Sequence, residues 1–250
     1  MVVVPYIIMS VLAILMGQLV GHLNKKLPPV VSEAITYHEY FETFGQGFTW
    51  DIKYSAIFLI LYNALIFFVG NSITIYLYAI VIAALAVTFS IDFRFQLIPD
   101  EVHMVIAACG FLHLGLDLSH WWSYLLGAII GGGIFWGLGQ LALLIFKKEG
   151  MGFGDVKLMA ALGFLFGIKY TLVITLVSFV LGAVIGGTLI LCKKKGADSY
   201  MAFGPFIVIA AIMLMFIPAD SIIYIYISFC SWLGMKMSDA VFWIINVFST

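Results

Sequence analysis

Long apolar runs separated by short polar segments make up most of this chain. An α-helix needs about 20 predominantly apolar residues to cross the hydrocarbon core of a bilayer, and several of the runs are shorter than that. The pattern predicts a single all-α transmembrane bundle of about eight spans over residues 1–250. Residues 221–250 are expected either to span the membrane or to lie on it. The eight runs cover residues 2–23, 54–69, 73–91, 102–116, 121–146, 156–167, 170–192 and 203–217.

The composition indicates that lipid is the main solvent of the folded chain. Hydrophobic residues make up 64% of the sequence, charged residues only 10%, and the mean hydropathy is +1.13. One soluble core of this size cannot bury so much apolar surface, which excludes a soluble protein. Nucleic acid is not an expected partner. Because Cys109, Cys192 and Cys230 show no CxxC or CxxH spacing, we expect buried thiols and no metal site.

The basic residues predict the orientation of the bundle. If the N-terminus lies outside, ten of the twelve lysines and arginines fall on the cytoplasmic side, as the positive-inside rule requires. Residues 22–53 then form a short cytoplasmic loop between spans one and two. The first run is expected to be a retained anchor, because Lys25 and Lys26 follow it and do not precede it. The ten residues are Lys25, Lys26, Lys53, Arg94, Lys147, Lys148, Lys157, Lys193, Lys194 and Lys195.

Three glycine pairs four residues apart occur inside two of the predicted helices. Small residues at this spacing let helix backbones approach closely in a membrane bundle. They therefore predict packing and carry no chemistry. The pairs are Gly127/Gly131, Gly133/Gly137 and Gly182/Gly186.

Five acidic residues gather at the predicted cytoplasmic ends of spans three to six. A carboxylate close to hydrocarbon is costly, so a cluster of them needs a reason. Structural roles are open: Asp92 can be balanced by Arg94 at the interface, and Asp155 can cap the helix that follows it. The two acids after Pro99 can favour the positive end of a helix dipole. The five residues are Asp92, Asp100, Glu101, Glu149 and Asp155.

A helix cap does not explain the glycines that precede Asp155 in EGMGFGD. Gly150, Gly152 and Gly154 leave the backbone unshielded, so another peptide segment can lie against it. We expect these three glycines to bind substrate. Two carboxyl groups brought together from different helices can share one proton, and the ionised one then activates water while the neutral one donates to a peptide carbonyl. This is the chemistry of an aspartic protease, and it uses no metal.

Four motifs resemble those of the type IV prepilin peptidases, which are GxGD-type aspartic membrane proteases. GMGFGDVKL resembles the GxGD segment of that family, and IDFRFQLIPD resembles its second aspartate motif. GQLVGHLNKKLP is similar to the exit of the first span, and FGPFIVIA is similar to the FGPF segment. The four motifs appear in the order of the family and extend from residue 17 to residue 210.

The resemblance implies a catalytic pair, Asp92 and Asp155, with Asp100 as a helix-capping acid. It implies a multi-pass inner-membrane enzyme that removes the basic leader from type IV prepilins or pseudopilins at the cytoplasmic face, after a glycine and before the hydrophobic helix. The system served would be a type IV pilus or protein secretion. Many members carry zinc-type cysteines after the first span and methylate the product with S-adenosylmethionine. The loop over residues 22–53 has no cysteine, so zinc is not expected and S-adenosylmethionine stays open as a cofactor.

Two alternatives compete with this interpretation. A polytopic transporter or channel also uses acids and packing glycines in the membrane, although its sites tend to lie near mid-bilayer and not at one face. A presenilin-like intramembrane protease shares the GxGD segment but would need its other aspartate inside a span. Asp92 lies at the end of one.

Overall fold

The computed structural model describes residues 3–26, 51–147, 151–192 and 202–248. Within these ranges the regular structure is helical and no strand occurs. The all-α prediction is therefore confirmed. The helices are α1 (Val3–Lys26), α2 (Ile52–Val69), α3 (Ile73–Phe95), α4 (Asp100–Leu116), α5 (Trp121–Phe146), α6 (Phe153–Leu191), α7 (Gly204–Phe216) and α8 (Ala219–Phe248), with a short 3₁₀ turn at Leu118–His120 before α5.

The predicted runs and the helices agree closely at most of their ends. Helix α5 has the bounds predicted for it. The break expected between runs six and seven is a kink at Gly167, whose φ of 78° and ψ of 173° are not helical. This positive φ favours glycine. Beyond the kink, the Ile168 N–H donates to Ser123 Oγ on α5 at 3.2 Å, so a backbone group freed by the kink has a partner.

Five helices among the described residues are long and apolar enough to cross a membrane: α1, α2, α3, α5 and α6. Helix α4 has 17 residues, which is shorter than the usual crossing of about 20, and α7 has 13, which is too few to cross alone. The figure of eight spans and the outside N-terminus stay predictions.

The chain divides into two compact units, Met1–Phe216 and Ile217–Thr250. The single domain expected over residues 1–250 stays a prediction. At both ends of the predicted loop over residues 22–53 the described residues are helical, because α1 continues to Lys26 and α2 begins at Ile52. Residues 27–50 lie outside the described ranges.

Helices α5 and α6 form the most extensive pairing in the first unit, and glycines explain it. A methyl group added at Gly127 would collide with the Gly163 carbonyl oxygen, and one added at Gly131 would lie 2.7 Å from the Met159 carbonyl oxygen. The close approach predicted for Gly127/Gly131 is confirmed. It is wrong for Gly133/Gly137, because both glycines face open space.

Polar contacts join α1 to the start of α2. The buried Gln18 side chain donates to Ser55 Oγ at 2.7 Å and accepts from the Asp51 N–H at 2.8 Å. Gly17 lets the two backbones meet, since a methyl group there would lie 2.6 Å from Ser55 Cα. The first quoted motif, GQLVGHLNKKLP, therefore begins with residues that pack helices.

The prediction of buried thiols holds for one cysteine of three. Cys109 is buried, whereas Cys192 and Cys230 are exposed. Cys230 lies on α8 among exposed apolar side chains such as Ile227 and Phe229, whereas Cys192 follows the end of α6.

Candidate active site

Asp92 lies in the last turn of α3 and is buried, with only 4% of its surface exposed. The helix ends just beyond it at Gln96, whose left-handed backbone (φ 55°) turns the chain and whose N–H donates to the Asp92 carbonyl at 2.9 Å. Among the residues that the structure describes, Asp92 forms no ion pair with Arg94. A charge balanced by Arg94 at the membrane interface therefore does not account for this aspartate.

Asp155 lies in the first turn of α6 and is 5% exposed. The helix begins at Phe153, so Asp155 is inside the helix and is not the cap expected as one alternative. The backbone of Gly152 interacts with its carboxyl group.

The two carboxyl groups belong to one site. Asp92 is close enough to Asp155 for the two to repel each other when both are ionised. Asp92 Oδ2 and Asp155 Oδ1 are both buried, and neither has a hydrogen-bond partner in the described ranges. Two acids with unused acceptor atoms in a shielded place are the arrangement that lets a pair share one proton.

The glycine that opens α7 forms a wall of this site. The backbone of Gly204 interacts with the Asp92 carboxyl group. A methyl group added at Gly204 would lie 3.0 Å from Asp92 Cγ and would collide with Oδ2. The FGPF segment is therefore placed against the aspartate, and a residue larger than glycine fits there only if the carboxyl group moves.

Ile98 connects the segment after Asp92 to both glycine motifs. Its Cβ lies 3.1 Å from the position of a methyl group added at Gly154, and its Cδ1 lies 3.2 Å from one added at Gly204. Asn24 Nδ2 of the first motif donates to Ser90 Oγ at 3.0 Å, on the helix that carries Asp92. Three of the four motifs thus meet at the two aspartates, and the first contacts α3.

Asp100 has a partner that the sequence did not indicate. It lies in the first turn of α4 as expected, and Lys157 of α6 donates to its Oδ1 at 2.7 Å. This hydrogen bond lowers the pKa of the Asp100 carboxyl. His103 Nδ1 lies 3.4 Å from the same oxygen, and the backbone of Gly154 interacts with the imidazole. The cluster joins α4 to α6 next to Asp155.

The glycine segment is only partly described. Gly152 and Gly154 are half-buried, and the missing side chain of Gly154 makes room for Ile98. Gly150 and Glu149 lie outside the described ranges. Substrate binding by Gly150, Gly152 and Gly154 stays a prediction.

Sequence reasoning placed Asp92 and Asp155 in the site but did not assign roles to five other residues. Four of them lie in or beside the quoted motifs, so the motifs contained the signal. Nothing in the sequence around His103 indicated a role in the site, because only the packing of α4 on α6 brings it to Gly154. The five are Asn24, Ser90, Ile98, His103 and Gly204.

Comparison with known proteins agrees with this geometry. Residues 79–187 match the model described as the type IV leader peptidase family. Over this segment, which is less than half of the chain, the sequence is similar to the type IV leader peptidase family. It contains both Asp92 and Asp155, whereas Asn24 and Gly204 lie outside it. No solved structure is significantly similar to the chain.

Several curated relatives carry the name "Prepilin leader peptidase/N-methyltransferase". The one from Xanthomonas campestris pv. campestris is 36% identical over 141 residues, which is 55% of this chain and 49% of the relative. The one from Pseudomonas aeruginosa is 31% identical over 145 residues, 56% of this chain and 48% of the relative. The one from Bacillus subtilis is 31% identical over 161 residues, 63% of this chain and 62% of the relative. The chain thus spans about half the length of most of the curated relatives it matches.

These matches favour a leader peptidase over a transporter or channel. The part of the chain that the structure describes also holds no group of three or more histidine, cysteine, aspartate or glutamate side chains that could bind a metal ion.

Proposed function

We propose that this chain is a membrane aspartic endopeptidase that removes the basic leader from type IV prepilin-like precursors. The observation that carries the proposal is the pair of buried carboxyl groups, Asp92 and Asp155, held together from two helices. Cleavage is proposed to fall after a glycine and before the hydrophobic helix of the precursor. The names of the relatives support this class of substrate.

The dyad supplies both proton transfers that peptide hydrolysis needs. The ionised carboxylate takes a proton from water as the water oxygen bonds to the scissile carbonyl carbon, and the neutral carboxyl donates its proton to the carbonyl oxygen. The tetrahedral intermediate then breaks the C–N bond as the amine leaves with a proton from the dyad. Either aspartate can begin as the neutral one, because the proton belongs to the pair.

The proposed location is the inner membrane, with the dyad on the cytoplasmic side. The apolar helices fit a lipid bilayer, and ten of the twelve basic residues fall on one side in the predicted topology. Asp92 ends α3 and Asp155 begins α6, so both acids lie at helix ends, near the membrane surface. A leader in the cytoplasm can reach the dyad there.

Methyl transfer to the new N-terminus is a separate activity that the names of the relatives include. It needs a methyl donor such as S-adenosylmethionine, which carries a charged amino-acid part and an adenosine. A groove of about 400 Å³ between α4 and α6 is lined by apolar side chains and His103, which does not fit such a molecule. We therefore derive no step for methyl transfer from the described residues.

The test is cleavage of a type IV prepilin by the purified protein in lipid nanodiscs. We expect Asp92→Asn and Asp155→Asn each to slow cleavage by about 10²–10⁴-fold, the usual contribution of general acid–base catalysis. Asp117→Asn is the matched control, because this acid follows the other end of α4, roughly 25 Å from Asp100. Normal cleavage by either dyad variant would refute the assignment. Mass spectrometry of the product also reports whether a methyl group is added.

A further inference from the structure

The first turn of α6 carries Asp155 and directly follows a glycine-rich segment. The helix begins at Phe153, and the Asp155 N–H donates to the Gly152 carbonyl at 3.1 Å. Glycines leave the backbone before the helix with wide conformational freedom, and the first turn of any helix has N–H groups without partners inside the helix. The position of Asp155 therefore depends on the contacts that this turn makes with other segments.

Three such contacts come from the link between α3 and α4 and from the first turn of α4. The Ile98 side chain fills the space that Gly154 leaves open. The His103 imidazole interacts with the Gly154 backbone. Lys157 Nζ donates to Asp100 Oδ1 at 2.7 Å. The segment that follows the first aspartate of the dyad thus holds the helical turn that carries the second.

The contact between Lys157 and Asp100 is an ion pair. The hydrogen bond from Lys157 lowers the pKa of the Asp100 carboxyl, so this acid is ionised at neutral pH. Lys157 Nζ also lies 5.4 Å from the centre of the Phe153 ring, within the range of a cation–π interaction. His103 Nδ1 lies 3.4 Å from the same Asp100 oxygen. The ammonium group is therefore held in one direction by two neighbours.

An ion pair at this exposure contributes little to the free energy of unfolding. The Lys157 and Asp100 side chains are 41% and 58% exposed, and pairs in contact with water gain little from their attraction. Their place in the chain gives them another importance. Asp100 follows Asp92 by eight residues and Lys157 follows Asp155 by two, so the pair links the two segments that carry the dyad. A small displacement of a catalytic group is costly to the rate even where it is not costly to folding.

We propose that Lys157 and Asp100 are positioning residues, whose ion pair fixes the first turn of α6 and keeps the Asp155 carboxyl within reach of Asp92. This inference rests on the proposed function and deepens it. Two carboxylates at one site repel each other when both are ionised. The attraction between Lys157 and Asp100 acts against that separation, because it draws the start of α6 towards the segment that follows Asp92.

Binding of the basic leader is the competing role for Asp100. A leader lysine would have to displace Lys157 from the carboxylate, because this carboxylate is already paired. The two roles differ in kinetics. Loss of a positioning contact lowers kcat, whereas loss of a leader-binding contact raises KM.

The test measures prepilin cleavage by variants of the full chain in nanodiscs. Lys157→Met removes the ammonium group and keeps most of the side-chain volume. We expect kcat to fall by about 5–30-fold, less than the roughly 10²-fold of a full 1 Å misplacement, and KM to stay within about twofold. Asp100→Asn should have a similar effect. The double variant should be slower than the slower single variant by no more than about twofold, because one interaction is lost only once.

Rescue separates a positioning charge pair from a side chain that only fills space. Lys157→Arg should keep kcat within about threefold of wild type, since a guanidinium group also pairs with a carboxylate. The exchanged pair, Asp100→Lys with Lys157→Asp, should cleave at least about fivefold faster than either reversal alone. Asp117→Asn is the matched control. It breaks a contact of the same kind, to His120 Nδ1 at 3.3 Å, beyond the other end of α4, and kcat should not change.

The outcomes separate this proposal from the proposed function. With an active wild-type protein and inactive dyad variants, wild-type kcat for both Lys157→Met and Asp100→Asn would overturn the positioning role alone. A raised KM with unchanged kcat would assign the pair to leader binding and would also overturn it. Additive losses without recovery in the exchanged pair would show independent packing roles. If Lys157→Met does not fold, Lys157→Arg and the exchanged pair decide. Wild-type protein that cleaves no prepilin would remove the proposed function itself.

Discussion

Gly204→Ala tests whether the opening of α7 sets the position of the Asp92 carboxyl. The substitution adds one methyl group at the start of a helix whose backbone accepts alanine, because Gly204 is not among the glycines with positive φ. The added carbon would lie 3.0 Å from Asp92 Cγ and 3.2 Å from Ile98 Cδ1. It touches the far end of a side chain, so the carboxyl group can yield while the helices stay in place.

The size of the effect follows from these distances. Carbon atoms in good contact lie about 3.5–4.0 Å apart, so the carboxyl must retreat by roughly 0.5–1 Å. A misplacement of about 1 Å at a catalytic group can slow a reaction by about 10²-fold, or roughly 2.7 kcal/mol of barrier. We therefore expect kcat for prepilin cleavage to fall by about 10–100-fold. Folding should suffer little, because alanine is the better helix former by up to about 1 kcal/mol.

The assay pairs cleavage kinetics with thermal unfolding of the same preparation in nanodiscs. Gly133→Ala on α5 is the matched control, since a methyl group there meets nothing within 4 Å. It should leave kcat unchanged. Wild-type kcat for Gly204→Ala would show that the carboxyl does not need its present position, and a large loss of unfolding temperature together with activity would show that Gly204 serves packing alone. Either result refutes the reasoning.

Two further substitutions test the contacts around the site. Asn24→Ala removes the hydrogen bond to Ser90 and should lower the free energy of unfolding by about 0.5–1.5 kcal/mol and slow cleavage. In a double-mutant cycle, Ser90→Ala added to Asn24→Ala should lower the free energy of unfolding little further, and additive losses would contradict a direct interaction. Gly163→Ala places a methyl group 2.9 Å from the Ala128 backbone nitrogen and should destabilise the bundle by about 1–3 kcal/mol. Gly137→Ala, the control, should be neutral or stabilising, because a methyl group there meets nothing within 4 Å. Equal unfolding temperatures for the two variants would contradict the packing of α5 on α6.

The helices could be predicted because the signal for each lies within its own segment. In a membrane protein, an apolar run bounded by polar residues specifies a helix almost by itself, since backbone groups in lipid must bond within the segment. The kink at Gly167 was visible for the same reason, as a break between two apolar runs. The bounds of α1 were less accurate, because the polar residues up to Lys26 continue the helix beyond its apolar part.

The glycine pairs show where sequence patterns stop being informative. Gly127 and Gly133 have the same small-residue spacing, yet only the first meets a neighbouring helix. The spacing indicates that another helix can approach this face of the helix closely. It does not indicate whether a neighbouring helix lies on that face. That information belongs to the arrangement of helices, which depends on contacts between residues far apart in the chain.

In the candidate site, too, some residues could be predicted from their own segment and others only from contacts between distant segments. Asp92 and Asp155 could be selected from the sequence because a carboxylate near hydrocarbon is costly and each lies in a distinctive motif. His103 could not be selected. Its position depends on α4 and α6 running side by side, which brings residue 103 to residue 154.

Ile98 shows why three of the four motifs must occur together. Gly154 and Gly204 are far apart in the chain, yet both present a bare backbone to this one side chain. A larger residue at either position would push Ile98 away, and Ile98 follows Asp92 by only six residues, through the tight turn at Gln96. The two glycines therefore do more than expose backbone. They let the segment after Asp92 fit between the start of α6 and the start of α7. The start of α6 carries Asp155, and the start of α7 meets the Asp92 carboxyl. This fit holds two mutually repelling acids at one site.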